Sequence, residues 1–343
     1  LQLRAGLLRF VSGTLESPVF AFLHRSFQEY FAGANLALMK DFPKEALRLL
    51  QLDLPYWQNT VKWAAGRLAH NDGRFRDVRD LIRELCLPFE AASAPVLAPQ
   101  VVVAGEILAD AGPRDIANET EGPRCVELVQ EHLQTLMLDE SREVRAREEA
   151  GKVLGKGGDP RPGVGLSEDG LPKFAWEWIP PGEFWMGNEQ PRFRCGLLRQ
   201  QGYWISRYSV TVEQYGVFVA RDGYAKTDGK RPAWWTEAGW SERVTREWDG
   251  PVAVPPVFQT PNHPQVGVSW YEALAFCRWL NTAFKPEQLG LPHPEGRIHL
   301  PTEAQWERAA RGTEARTYPW ENGRETDLAT HCNWQGTGLG HTS

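Results

Sequence analysis

Tryptophan is spread so unevenly along this chain that two separate cores are required. Of the 15 Trp, only Trp57 and Trp63 precede residue 150, and the other 13 fall between Trp176 and Trp334. A composition step this steep marks a domain boundary. Residues 155–165, between the two regions, read Gly-Lys-Gly-Gly-Asp-Pro-Arg-Pro-Gly-Val-Gly. Glycine and proline at that density cannot hold a helix or a central strand, so residues 155–174 are expected to form a linker.

The first 150 residues read as helical. Phe20, Leu23, Phe27, Tyr30, Phe31, Ala34 and Leu38 recur at three- and four-residue steps and predict one broad apolar helix face. Further helices are predicted near residues 44–50, 57–68, 78–86, 98–111, 125–138 and 141–154. Their apolar faces need neighbours, which suggests a short HEAT-like stack, although no clear repeat period emerges. The expected division is a helical segment at 1–90, a HEAT-like segment at 91–154, the linker, and a final domain at 175–343.

The second region alternates between strand and helix signals. Residues 176–187 predict two short strands around the turn at Pro180 and Gly182. Residues 203–211 predict another strand. Three helices announce themselves by a hydroxyl three residues before Glu or Gln: Thr211 with Gln214, Ser269 with Glu272, and Thr302 with Gln305. Such pairs satisfy two orphan backbone donors reciprocally. Apolar faces follow each box, and Gly223 and Gly312 stand where glycine stops belong.

These segments, with Trp234-Trp235, Gly239-Trp240, Tyr318-Pro-Trp320 and Cys332-Asn-Trp334, resemble the formylglycine-generating enzyme (sulfatase-modifying factor) family from Trp176 onward. The resemblance implies a variant of the C-type lectin fold, α+β, irregular and loop-rich. It also implies a structural calcium held partly by the side chain of Asn333 and the carbonyl of Trp334. In the family, oxidation of a substrate cysteine depends on two cysteines that bind copper. Their segment is expected after Ser343, so the domain is expected to be incomplete here, with exposed sheet edges. Residues 22–33, Phe-Leu-His-Arg-Ser-Phe-Gln-Glu-Tyr-Phe-Ala-Gly, resemble the segment that follows the nucleotide-binding core in NACHT-type signalling NTPases. No phosphate-binding loop accompanies them.

Exposed aromatics on loops often contact ligands, so Trp234, Trp235, Trp240 and Trp248, in a long polar and aromatic stretch at 227–249, are the candidate ligand-binding residues. Cys277 lies on an apolar helix face and reads as a small buried hydrophobe. Cys332 beside His331 is a weak candidate for reactivity. Glu303 and Glu307, and Arg308 and Arg311, share helix faces and read as a solvated surface.

Composition limits partners. Net charge is −6 and no long basic run occurs, which argues against nucleic acid. No stretch approaches the ~20 apolar residues of a membrane span. Five widely spaced cysteines without a C-x-x-C suit a reducing, cytoplasmic setting, and no leader is visible. The expected function is therefore recognition of a protein or peptide ligand by a lectin-like arm on a NACHT-type protein, akin to the variable proteins of diversity-generating retroelements. The alternative is a copper-dependent oxidase making formylglycine. A sulfoxide-synthase-type iron site would need closely spaced histidines, and the first 150 residues hold only His24, His70 and His132.

Overall fold

The structure is a computed structural model that describes residues 8–14, 16–91, 98–187, 193–196, 198, 201–225, 230–314, 316–320, 328–333 and 335–342. It divides into two units: residues 1–142 with 146–158, and residues 143–145 with 159–343.

The first unit is helix-rich but not all-α. It opens with an antiparallel hairpin of β1 (Leu8–Gly13) and β2 (Pro18–Phe22). Phe10, Val11, Val19, Phe20 and Phe22 are the aromatic and β-branched residues that favour strand, and Gly13 supplies the turn with φ +100. The predicted helical stripe thus loses Phe20 to β2. Helix α1 (Arg25–Leu36) buries Gly33 and Leu36, while Phe27, Tyr30 and Phe31 stay exposed. Gly33 explains the choice of face. A β-carbon there would sit 2.8 Å from the Thr60 carbonyl oxygen, so glycine lets α1 lie directly against the next long helix.

That helix is α3 (Leu54–His70), and it follows α2 (Phe42–Leu52). After it come α4 (Phe75–Ala91), α5 (Ala98–Ala111), α6 (Pro113–Ala117), α7 (Gly122–Leu138) and α8 (Val144–Gly157). Helix α1 packs on α3, α3 on α5, and α5 on α7, while α2 packs on α4 and α4 on α5 and α7. Helices α1 to α5 therefore each meet the helix two places along. Phe42, Leu50, Leu68, Leu81, Ile82, Leu85, Ile107 and Leu108 fill the dry interior. None of the described helices is long and apolar enough to cross a membrane.

Residues 155–174 do not behave as a linker. Helix α8 continues through Gly157, and the chain then folds into the second unit. Val164 and Leu171 are buried there, and Leu166 bridges to Pro172. The carbonyls of Gly163 and Val164 accept from Gln214 Nε2 at 3.0 Å and Thr211 Oγ1 at 2.8 Å. The glycine and proline density excludes regular structure without excluding order: side-chain amides and hydroxyls satisfy the backbone instead.

The second unit has short strands and modest helices. Strand β3 (Trp176–Ile179) pairs antiparallel with β6 (Tyr203–Ser206), and β4 (Phe184–Met186) with β5 (Phe193–Cys195). The two strands predicted around Pro180 exist but do not pair with each other. Helices α9 (Val212–Ala220), α11 (Trp270–Ala283) and α12 (Glu303–Arg311) each begin with the expected reciprocal capping box. Gly312 ends α12 at φ +70. The stretch 227–249 is not one long loop, because α10 (Glu237–Thr245) forms within it, capped by Thr236. A last short helix is α13 (Leu328–His331). Phe218, Trp235, Phe276, Trp279 and Leu280 form the main core between α9 and α11.

Candidate functional site

Of the four tryptophans expected to meet ligand, one is enclosed in the core. Trp235 is fully buried, and Trp234, Trp240 and Trp248 are half-buried against the same core. Both Trp234 and Trp235 donate their indole N–H to one acceptor, the Gly223 carbonyl, at 2.8 and 2.9 Å. A carbonyl oxygen has two lone pairs, so it can hold both rings. Gly223 must be glycine, since a β-carbon would meet the Phe218 ring at 2.4 Å. Trp240 stacks edge-on against Trp235 at 6.0 Å and carries the Arg243 guanidinium 4.8 Å above its ring. Trp235 is thus corrected from ligand contact to core staple.

Behind these rings lies a polar chain. Tyr215, Tyr224 and Glu272 are all buried and linked by hydrogen bonds. Burial raises the phenol pKa of both tyrosines, and the neighbouring groups add to the shift at Tyr224. The second oxygen of Glu272 accepts from the Ser269 backbone N–H at 2.6 Å. The capping carboxylate therefore ties a helix start to the aromatic core.

An open cleft of about 830 Å³ lies beside β6 in the same unit. Every residue from 201 to 210 lines it, so the strand runs along its wall. Among the described residues β6 has only β3 as a ladder partner, which leaves its other edge open. Trp178 and Trp204 face each other across the β3–β6 register with ring centroids 5.1 Å apart. They are 48% and 41% exposed, and Trp306 on α12 adds a third ring at 62%. Gly202 makes room for this arrangement, because a β-carbon there would strike Trp178 at 2.4 Å. The only sequence signal for the ring pair was the alternation of Trp176 and Trp178. Its partner Trp204 lies far along the chain, and only the strand register joins them.

Cys277 lines the cleft but is buried, and burial pushes its thiol up to about 12. A thiol held protonated is a poor nucleophile. Cys332 is half-exposed and lies against the Leu328 carbonyl at 3.4 Å. None of the five cysteines is in a disulfide. Among the described residues no three His, Cys, Asp or Glu side chains gather as a metal site. Asn333 is committed to its own loop: its Nδ2 donates to the His341 carbonyl at 2.6 Å and its Oδ1 accepts from Thr337 at 3.0 Å. Trp334, the other expected calcium ligand, lies outside the described residues.

Of the four side chains expected to form a solvated polar face on α12, only Glu303 is exposed. Arg308 and Arg311 are both buried. Glu307 bonds Arg311 Nη1 at 2.6 Å and accepts from the Gly187 backbone N–H at 2.9 Å. The polar face points inward because α12 packs against β4.

Short paired strands, capped helices and an aromatic-stapled core define the second unit as an irregular α+β domain. Residues 173–341 match the family profile described as the sulfatase-modifying factor enzyme 1-like domain, and this part of the chain is such a domain. It is similar to the formylglycine-generating enzyme of Thermomonospora curvata, 32% identical over 190 residues, covering 46% of this chain and 56% of that protein. It is also similar to the formylglycine-generating enzyme of Mus musculus, 27% identical over 187 residues and covering 46% of each chain. A hercynine oxygenase of Mycolicibacterium thermoresistibile is 26% identical over 159 residues, covering 41% of this chain and 29% of that protein. The chain spans about half the length of the formylglycine-generating enzymes it matches. No solved structure matches it.

Proposed function

We propose that the second unit is a recognition module for an extended polypeptide segment, held along the open edge of β6. The carrying observation is the cleft itself, which sets a strand edge without a ladder partner among the described residues beside the exposed pair Trp178 and Trp204. An added strand gains main-chain hydrogen bonds from such an edge, and rings beside it give side-chain selectivity. The scaffold is of the loop-presenting, C-type-lectin-like kind. The helical unit, through the segment at 22–33, would attach it to a NACHT-type signalling polypeptide.

A second reading is favoured by the names of the relatives: the bound segment presents a cysteine for oxidation to formylglycine. The thiols described here do not fit a copper pair, since four are buried separately and no metal-ligating cluster forms among the described residues. Recognition in the cleft is common to both readings and is tested first. The intact chain is titrated with the acetylated, amidated pentapeptide Val-Trp-Val-Asn-Val in a calorimeter. A saturable heat of binding that is lost in the Trp178→Ala/Trp204→Ala variant supports the proposal. A linear response, or equal binding by that variant, overturns it. Oxygen uptake with a copper-loaded protein and a cysteine-containing version of the peptide would raise the second reading above simple recognition.

A further inference from the structure

Arg308 is a charge that the described residues leave without a partner. It is 7% exposed, and among the described residues its guanidinium has neither a hydrogen-bond nor an ion-pair partner; its Nε is completely shielded. Nearby acids are committed elsewhere. Glu307 pairs with Arg311 at 2.6 Å, and Glu183 pairs with Arg194 at 3.3 Å. A buried charge without a counter-ion is among the most costly arrangements in a folded protein, and polar groups at such depth are normally satisfied. Arginine cannot escape by losing its proton.

We infer that Arg308 is the anchor of an anion site that takes a single carboxylate. The guanidinium fork matches a carboxylate bidentately, and one uncompensated positive charge balances one negative charge, not a doubly charged phosphate. The link to the cleft is Tyr203, which lines it and donates its phenol proton at 2.5 Å to the carbonyl of Gln305, one turn ahead of Arg308 on α12. The natural source is thus an acidic residue of the segment bound along β6, and in this respect the inference rests on the proposed cleft function. A free small carboxylate is the other source of the same chemistry.

The test uses the intact chain, the asparagine pentapeptide above, its Asp counterpart, and sodium acetate against sodium chloride at equal ionic strength. The variant is Arg308→Leu, with Arg308→Met in reserve should leucine not fold. Without ligand, either variant is expected to melt at or above the wild-type temperature, because an unpaired buried charge has been removed. The Asp peptide is expected to bind wild type at least roughly tenfold more tightly than the Asn peptide, and the advantage to vanish in the variant. Equal binding of the two peptides, with an acetate-specific rise in melting temperature that Arg308→Leu abolishes, supports the site and assigns it to a free carboxylate. Failure of both peptides to bind while that acetate effect holds would sink the cleft and keep the anion site. The inference is overturned if neither carboxylate distinguishes wild type from variant, or if the variants are destabilised with no carboxylate response.

Discussion

Tyr224 donates its phenol proton to Glu272 Oε1 across 2.7 Å, joining the end of one loop to the first turn of α11. That commitment fixes the next contact. Tyr224 has one proton, so in the 2.8 Å contact between the two phenols Tyr215 is the donor. The order of the chain is Tyr215 to Tyr224 to Glu272. All three groups are buried, so each link lost leaves a polar atom with no water to replace its partner.

The order predicts unequal costs. Tyr224→Phe strips Glu272 of a donor and Tyr215 of its acceptor, and should cost about 2–3 kcal/mol. Tyr215→Phe leaves the Tyr224–Glu272 bond intact and should cost about 1 kcal/mol. Urea unfolding followed by tryptophan emission reports on this unit. Equal losses in the two variants would contradict the assigned direction.

The same core predicts an alkaline limit. Burial raises the Cys277 thiol from 9.0 to about 12 and raises both phenols above their usual value of 10.0. For each group the folded pKa exceeds the unfolded one, so between the two values the unfolded chain binds fewer protons. Stability is therefore complete below about pH 9 and falls as pH rises toward 12, by up to roughly 1.4 kcal/mol per pH unit for each group. Cys277→Ala and Tyr215→Phe should each flatten the decline. Denaturant midpoints that stay constant from roughly pH 8 to pH 10.5 would refute it.

The pairing of Glu307 with Arg311 predicts a large effect from a residue that sequence alone places on the surface. The two side chains are 13% and 8% exposed. Glu307→Gln retains an acceptor for the Gly187 N–H but removes the charge opposite a buried guanidinium. Arg311 keeps its contact with the Gly187 carbonyl at 3.2 Å, so a loss of about 3 kcal/mol is expected, at the low end for a broken buried pair. Chemical denaturation measures it, and a change below about 0.5 kcal/mol would restore the solvated-surface reading.

What could be read in the sequence was what local chemistry decides. Thr211, Ser269 and Thr302 announced their helices because a capping box closes within four residues. The hairpin ending in Phe22 escaped because Phe20 and Leu23 satisfy a helical spacing while the neighbouring residues favour strand. The apparent linker escaped because its order comes from Thr211 and Gln214, some 40 to 50 residues away. Trp234 and Trp235 looked like loop rings until the Gly223 carbonyl placed them. The burial of Arg308 and the Trp178–Trp204 pair are set by strand register and by β4 lying over α12, and these are long-range facts that no local pattern carries.

Two glycines in the helical unit predict opposite responses to one methyl group. Gly105 on α5 faces α7 and α8, and a β-carbon there would sit 2.5 Å from Val153 Cγ1 and 2.8 Å from Leu133 Cδ1. Both atoms belong to buried side chains of the core, so they cannot yield without moving their helices. Alanine favours a helix over glycine by about 1 kcal/mol, but overpacking costs about 1–3 kcal/mol. Gly105→Ala should therefore be destabilising by about 1 kcal/mol or more. At Gly66 on α3 the nearest atom is Asp110 Oδ2 at 2.8 Å, the end of an exposed side chain that can swing away. Gly66→Ala keeps most of the helix gain and should stabilise by about 0.5–1 kcal/mol. Thermal unfolding of both variants decides the matter. If Gly105→Ala is the more stable of the two, helix propensity rather than the close approach of α5 to its neighbours governs this unit.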